Sequence, residues 1–203
     1  EWHDNIQNQL KAYGIIATWQ ADVMQWLSEV MLAPLTPTLT LQQLRPQQTL
    51  RELDFHLPLQ RFYPPQLIDC LRKYGLTVPD LMAQNITGFM KGSIDLIFEH
   101  QGQYFIADYK SNHLGHHLND YQAEKLQLAM ANNGYQLQAA LYSLALHRWL
   151  THRLQGYQFE RHFGGVFYLF IRGMNPQGNQ GIYEWRPSYE LLMELNAIIG
   201  EQQ

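Results

Sequence analysis

The chain has 203 residues, of which 46% are hydrophobic and 16% charged, and a formal net charge of −4 at pH 7. This composition predicts one globular domain with its own core, excludes an intrinsically disordered chain, and counts against strong DNA affinity of the chain by itself, since free DNA-binding domains are usually basic. No apolar run approaches the ~20 residues of a transmembrane helix, and a single cysteine excludes an internal disulfide, so we expect a cytoplasmic protein without a membrane segment.

The first forty residues are predicted to be largely helical. Residues 2–13 and 18–32 are predicted as helices that are joined near Gly14, and in the second of them apolar residues recur at helical spacing. Residues 33–40 are predicted as a loop, since two prolines break any regular element there.

A strand is predicted next, over residues 50–57, with its end at Pro58. Its residues alternate between an apolar face and a polar face. The apolar face holds Leu53, Phe55 and Leu57, and the polar face holds Glu52, Asp54 and His56. A helix over residues 64–74 follows, in which Cys70 is expected to be a buried thiol.

Two apolar runs around Gln101 and Gly102 predict a β-hairpin over residues 88–112. If these two residues form the loop, residues whose numbers sum to 203 lie opposite each other, so Asp95 faces Asp108. Side chains alternate along a strand, so one face would hold Ile94, Leu96, Phe98, Phe105, Ala107 and Tyr109. The other face would hold Asp95, Asp108 and Lys110.

The facing aspartates predict a site for a divalent cation. Their Cβ atoms would lie about 4.5–5.5 Å apart, where two bare carboxylates repel each other. Mg²⁺ would remove the repulsion, and Lys110 would hold a phosphate or a water beside it. The alternative is an ordinary solvated hairpin face, and a three-residue loop would shift the register and remove the site.

The chain after the hairpin predicts further helices and a central strand. The spacing of His113, His116 and His117 matches no zinc pattern, so contact with nucleic acid is the stronger interpretation. A helix is predicted over residues 120–131 and another over 135–154. The second has an apolar stripe of Leu137, Leu141 and Leu144, and it carries Gln138 and Tyr142 four residues apart on another face.

The fold class follows from the order of the elements. Residues 164–171 are apolar throughout, as in a strand covered on both faces, residues 172–181 form a loop, and 187–199 form a closing helix. Helices, strand, helix, hairpin, helix, strand and helix together predict an α/β domain with a mixed central sheet flanked by helices.

Asp95 followed by Asp108-Tyr109-Lys110 resembles the core motif of the PD-(D/E)XK nuclease superfamily. The longer stretches around residues 88–115, 135–154 and 162–174 resemble the RecB-type nuclease domains of that superfamily, and Gln138 with Tyr142 matches their QxxxY motif. The resemblance implies a restriction-endonuclease-like fold over residues 1–203, with a helical N-terminal part (1–45) and a nuclease core (46–203).

The resemblance also implies an activity and its residues. It implies Mg²⁺-dependent hydrolysis of DNA, with one or two ions held by Asp95, Asp108 and the backbone carbonyl of Tyr109. Lys110 would act on the attacking water, Gln138 and Tyr142 would contact DNA or order the lysine, and Glu52 would be a third carboxylate. A non-catalytic module of the same fold that binds DNA or partner subunits is the alternative.

Finally, the resemblance implies a larger machine that repairs and recombines DNA. Its partners would be RecC-like and RecD-like subunits in a heterotrimer, and ATP would be used only by a helicase motor, for which this chain has no phosphate loop. RecB-type nucleases also bind metal through a histidine on a helix before the first strand, whereas His3 is the one histidine before Glu52 and its setting does not match. We therefore expect a fragment with weakened metal affinity and little activity by itself.

Overall fold

The computed structural model describes residues 2–81 and 84–200. Along the chain, the helices are α1 (Trp2–Ala12), α2 (Gln20–Leu32), α3 (Pro64–Lys73), α4 (Ala123–Asn132), α5 (Tyr135–Arg153), α6 (Phe159–His162) and α7 (Tyr189–Ile199). The strands are β1 (Pro34–Thr36), β2 (Leu39–Thr40), β3 (Thr49–Phe62), β4 (Ile86–His100), β5 (Gln103–Lys110), β6 (Phe163–Phe170) and β7 (Ile182–Trp185).

A five-stranded mixed sheet organises the domain. Its strand order is β3-β4-β5-β6-β7, in which β5 and β6 are parallel and the other neighbours are antiparallel. The parallel pair needs a long crossover, which α4 and α5 supply. Helices flank the sheet, so the predicted α/β class with a mixed central sheet is confirmed.

Two hydrophobic cores lie on opposite faces of this sheet. The α5-side core joins the sheet to α3, α4, α5 and α7, and includes the fully buried side chains of Leu71, Ile106, Leu144 and Leu195. The α2-side core joins the other face to α2, β1 and β2, and includes Val30, Leu39, Phe98 and Phe167. The strands in the middle of the sheet therefore bury side chains on both faces, and this explains why the residues of β6 are continuously apolar.

The predicted helices at the N-terminus are confirmed, but the predicted loop at residues 33–40 is not entirely irregular. Its ends form the short antiparallel strands β1 and β2. Leu35 and Leu39 are buried in the α2-side core. The burial of these leucines outweighs the breaking effect of the prolines, of which Pro34 itself lies in β1.

The strand β3 is longer than predicted. It continues through Pro58, which pairs with Phe89 of β4. Proline cannot donate a hydrogen bond to a ladder, but β3 is the edge strand, where the missing donor faces away from the sheet. The predicted end of the strand at Pro58 is therefore wrong.

Two further differences concern the last third of the chain. The strand β7 was not expected from the sequence, and its four residues pair with β6. Helix α5 is buried around most of its circumference between Ala139 and Leu146, whereas Leu137 and Leu141 of the predicted apolar stripe are half-buried. No helix within the described residues is both long and apolar enough to cross a membrane.

Candidate active site

The two aspartates lie where β4 and β5 separate. The ladder between these strands has five pairs and ends at Leu96↔Ala107, which confirms the predicted two-residue turn and its register. Asp95 and Asp108 follow directly after this last pair. Here the Oδ2 atom of Asp95 accepts a 2.9 Å hydrogen bond from the backbone N–H of Tyr109. Asp95 is thereby tied to the strand that carries Asp108.

A kink in the β3–β4 pair turns Asp95 away from a regular strand position. The two strands keep one register on both sides of the kink, but Glu52 and Asp95 are left unpaired, and Glu52 has a φ of 52°. The kink also corrects one prediction. Simple alternation predicts Ile94 on the same face as Leu96, but Ile94 packs in the α5-side core and Leu96 in the α2-side core. The alternation of side chains between the two faces of β4 therefore shifts by one residue at Asp95.

Asp108 and Lys110 form a nearly buried ion pair on the α5 side of β5. The Nζ atom of Lys110 lies 2.6 Å from Oδ2 of Asp108, and the side chains are 13% and 4% exposed, respectively. This contact gives the buried carboxylate a positively charged partner. Carboxylate oxygens are also the ligands that hard cations such as Mg²⁺ prefer.

Gln138 links Lys110 to two tyrosines. Its Oε1 atom accepts hydrogen bonds from Nζ of Lys110 and from the hydroxyl of Tyr168, both at 3.0 Å. Its Nε2 atom donates to the hydroxyl of Tyr142 at 2.9 Å. Because two donors approach one end of the amide and an acceptor lies at the other, the amide has a single favourable orientation. The structure thus brings the QxxxY residues to the lysine.

The surroundings of Asp108 alter the acidity of the site. Burial raises the pKa of the Asp108 carboxyl above its usual range, the contact with Lys110 lowers it, and the negative charge of Asp95 raises it again. Burial and the charge of Asp108 also raise the pKa of Tyr142 to about 12. The Tyr142 hydroxyl therefore keeps its proton at neutral pH, and the two carboxylates repel each other.

Glu52 lies on β3, the strand next to Asp95. It is exposed at the kink, opposite Asp95 in the register of β3 and β4. Within the part of the chain that the structure describes, no three His, Cys, Asp or Glu side chains are grouped so that they could hold a metal ion. The role of Glu52 as a third carboxylate thus stays a prediction.

The histidines after β5 form no such metal-holding group within the described residues either. His113, His116 and His117 are exposed in the segment after β5, and the ring centroids of the first two are 4.7 Å apart. The backbone of His3 lies in α1, and its side chain is outside the described residues.

Two tyrosines that sequence analysis missed complete the surroundings of Lys110. Its Nζ atom lies 4.1 Å from the ring centroid of Tyr135 and 5.2 Å from that of Tyr168. Tyr135 had a detectable signal, because it lies one helical turn before Gln138. Tyr168 had no such signal in the sequence. Its place beside the site results from the β5–β6 ladder, in which Tyr168 pairs with Asp108.

Comparison with known proteins shows the family of this chain. The model of the PD-(D/E)XK nuclease superfamily matches residues 5–194. The RecBCD enzyme subunit RecB of Escherichia coli (strain K12) is 38% identical over 201 residues, which are 96% of this chain and 17% of that protein. RecB of Haemophilus influenzae is 37% identical over 185 residues, 89% of this chain and 15% of that protein. RecB of Mycobacterium tuberculosis (strain ATCC 25618 / H37Rv) is 35% identical over 202 residues, 85% of this chain and 18% of that protein.

The chain therefore spans less than a fifth of the length of these relatives. The resemblance to RecB-type nuclease domains is confirmed, and the mixed sheet flanked by helices is the architecture expected of that fold. From the match over most of its length, this chain belongs to the PD-(D/E)XK nuclease superfamily.

Proposed function

We propose that this chain hydrolyses DNA phosphodiester bonds with the help of Mg²⁺, acting as an exonuclease or endonuclease. The observation that carries the proposal is that Asp108 and Lys110 pair beside Gln138, while Asp95 accepts a hydrogen bond from the backbone of the same strand at Tyr109. These residue types supply hard oxygen ligands for a cation and a positive charge for a phosphate.

The residues present fit a magnesium ion. Asp95 and Asp108 would hold it, because Mg²⁺ binds through one or two carboxylates and completes its shell with waters and phosphate oxygens. Burial raises the pKa of the Asp108 carboxyl, and a cation beside it would offset that cost of ionisation. The carbonyl of Tyr109 is a further proposed ligand. A bound ion would lower the pKa of a water and neutralise charge on the phosphate.

Lys110 and its neighbours have proposed roles of their own. The ammonium group would stabilise the negative charge that builds on the phosphate, or hold the attacking water. Gln138 limits the directions that this ammonium group takes, because its Oε1 accepts one of the three N–H bonds. Tyr142 holds the other end of the Gln138 amide.

We further propose that the chain works within a RecBCD-type helicase–nuclease for double-strand break repair and recombination. The relatives are named as subunits of the RecBCD enzyme, so the proposed partners are DNA and RecC-like and RecD-like subunits. A net charge of −4 supports this assignment, because DNA affinity would then come from other parts of the assembly.

The first test is a calorimetric titration of Mn²⁺ and Mg²⁺ into the chain and into Asp108→Asn. Asp54→Asn is the matched control, because Asp54 is an exposed aspartate on the neighbouring strand β3. We expect saturable binding in the wild-type chain and in Asp54→Asn, and its loss in Asp108→Asn. Equal binding by all three proteins would show that Asp108 is not a ligand of the metal and would contradict the proposal.

The second test is cleavage of linear end-labelled DNA with and without Mg²⁺. Cleavage that requires Mg²⁺ and is lost in Asp108→Asn and Lys110→Ala would support the nuclease. If the chain bound DNA but neither bound the ions nor cleaved, the alternative of a non-catalytic DNA-binding module would replace it.

A further inference from the structure

The ammonium group of Lys110 is enclosed on several sides. Asp108 and Gln138 approach Nζ with oxygen atoms, and the rings of Tyr135 and Tyr168 approach it with their faces. A lysine ammonium group is strongly hydrated in water, so its burial requires replacements for those waters. The face of an aromatic ring attracts a cation through its negative quadrupole, and the attraction grows when the cation is desolvated.

Both rings are fixed by contacts that do not involve Lys110. Tyr168 is fully buried on β6, and its hydroxyl donates a hydrogen bond to Oε1 of Gln138. The hydroxyl of Tyr135 donates to Oδ1 of Asn112 at 3.1 Å. The two rings also stack on each other, with centroids 5.7 Å apart and an interplanar angle of 25°. Packing therefore holds the two ring faces in place.

We propose that Tyr135 and Tyr168 are positioning residues that form an aromatic cage and hold the Lys110 ammonium group against Asp108 and Gln138. This inference rests on the proposed function, in which Lys110 acts at the scissile phosphate. Lysine has a long flexible stem, and a loosely held ammonium group would spend little time in one place. The cage restricts the motion of the ammonium group before substrate binds. A charge that is already in position contributes most to the stabilisation of a transition state.

The two tyrosines contribute in different ways. Tyr135 contributes mainly its ring, because it is the nearer of the two and its hydroxyl bonds to Asn112 rather than to the lysine. Tyr168 contributes its hydroxyl as well, because it shares Oε1 of Gln138 with Nζ of Lys110. Tyr135→Phe should therefore preserve the cage, and Tyr135→Leu should open it.

A nuclear magnetic resonance measurement tests the cage without any need for catalysis. The chain has five lysines, and the ε-methylene protons of one enclosed by ring faces resonate upfield of the others. We expect this shifted signal in the wild-type chain, its retention in Tyr135→Phe, and its loss in Tyr135→Leu. Lys110→Arg assigns the signal by removing it.

Tyr189→Leu is the matched control for loss of a tyrosine ring. Tyr189 packs against Phe159 and His147, and His147 is twelve residues after Tyr135 on α5, a distance of roughly 18 Å along the helix. The control should keep the shifted lysine signal. An unshifted Lys110 signal in the wild-type chain, or an unchanged signal in Tyr135→Leu, would overturn the cage.

Single-turnover cleavage then tests the consequence for the reaction. We expect Tyr135→Leu to lower the rate of the chemical step roughly tenfold and to leave the concentration dependence on DNA within about twofold. An unchanged rate in a variant that has lost the lysine signal would refute a positioning role. If the wild-type chain neither binds Mn²⁺ or Mg²⁺ nor cleaves DNA, the proposed function fails, and the lysine signal still decides the cage.

Discussion

At the scale of single residues, Asp108 occupies a position that disfavours its own charge. Burial is the strongest influence on its pKa and raises it, while Lys110 compensates only in part. A buried ionised carboxylate costs free energy unless its surroundings repay the lost hydration. The position of Asp108 therefore costs the free chain stability, which the proposed cation would restore.

This balance predicts that Asp108→Asn raises the melting temperature near about pH 7 when a chelator removes divalent ions. Because its pKa is higher in the folded chain than in the unfolded chain, the folded state binds more protons between the two values, and stability falls as pH rises through that window. Asparagine cannot ionise and escapes this loss. Each kcal/mol corresponds to roughly 2–4 °C for a chain of this size.

Scanning calorimetry at several pH values measures the effect. The two proteins should converge at pH values below the ordinary pKa of an aspartate, where Asp108 is protonated in both states. A variant that melts below the wild-type chain at neutral pH would show that the attraction of Lys110 outweighs the burial of Asp108.

Local sequence predicts the residues of this site only where short-range geometry places them. The pair Asp95 and Asp108 follows from a two-residue turn, and Gln138 and Tyr142 follow from helical spacing. Tyr168 reaches Lys110 through the pairing of strands that are separated by two helices. The register between such distant strands depends on the packing of the entire sheet, so local sequence patterns do not predict it.

At the scale of elements, the β3–β4 pair combines a regular ladder with one strained residue. Glu52 is unpaired and has a φ of 52°, a backbone conformation that residues other than glycine seldom adopt. Strained residues of this kind persist where the surrounding structure fixes them, commonly at functional sites. Here the strain lies opposite Asp95, at the kink that directs this carboxylate to the N–H of Tyr109.

The strain makes Glu52→Val a sharp test of the kink. Valine favours a strand, so a regular ladder would be stabilised by it. At a positive φ we expect the opposite, a loss of about 1–2 kcal/mol in the free energy of unfolding. Glu52→Gly, the control, should stay within about 1 kcal/mol of the wild-type chain. Urea unfolding measures both, and a valine variant as stable as the glycine variant would contradict the kink.

Secondary-structure elements were predictable where the local sequence pattern was strong, and were missed where packing against neighbouring elements determined the structure. Alternation located β3, but only its place at the edge of the sheet explains why it continues through Pro58. The four residues of β7 carry a weak signal by themselves and become a strand by pairing with β6. The burial of α5 on most sides follows from the helices and sheet around it, which its own periodicity does not show.

At the scale of the whole molecule, the sheet separates a core that supports the site from a core that anchors the N-terminal elements. Asp108, Lys110 and Gln138 lie on the α5 side, while Val30 of α2 packs on the other side. None of the described side chains of α1 belongs to either core. Of its residues 4–12, only Leu10 is buried.

This arrangement predicts that deletion of residues 1–14 leaves a cooperative fold with unchanged Mn²⁺ affinity. The cost should be about 1.5–3 kcal/mol, the value of burying one leucine side chain such as Leu10. Deletion of residues 1–33 should abolish cooperative unfolding, because it also removes Val30 and Ala33 from the α2-side core. Calorimetric unfolding and Mn²⁺ titration of both deletions measure these outcomes. Because the shorter deletion also removes His3, a loss of Mn²⁺ affinity in a folded protein would assign that histidine to the metal site and displace the interpretation based on Asp95 and Asp108 alone.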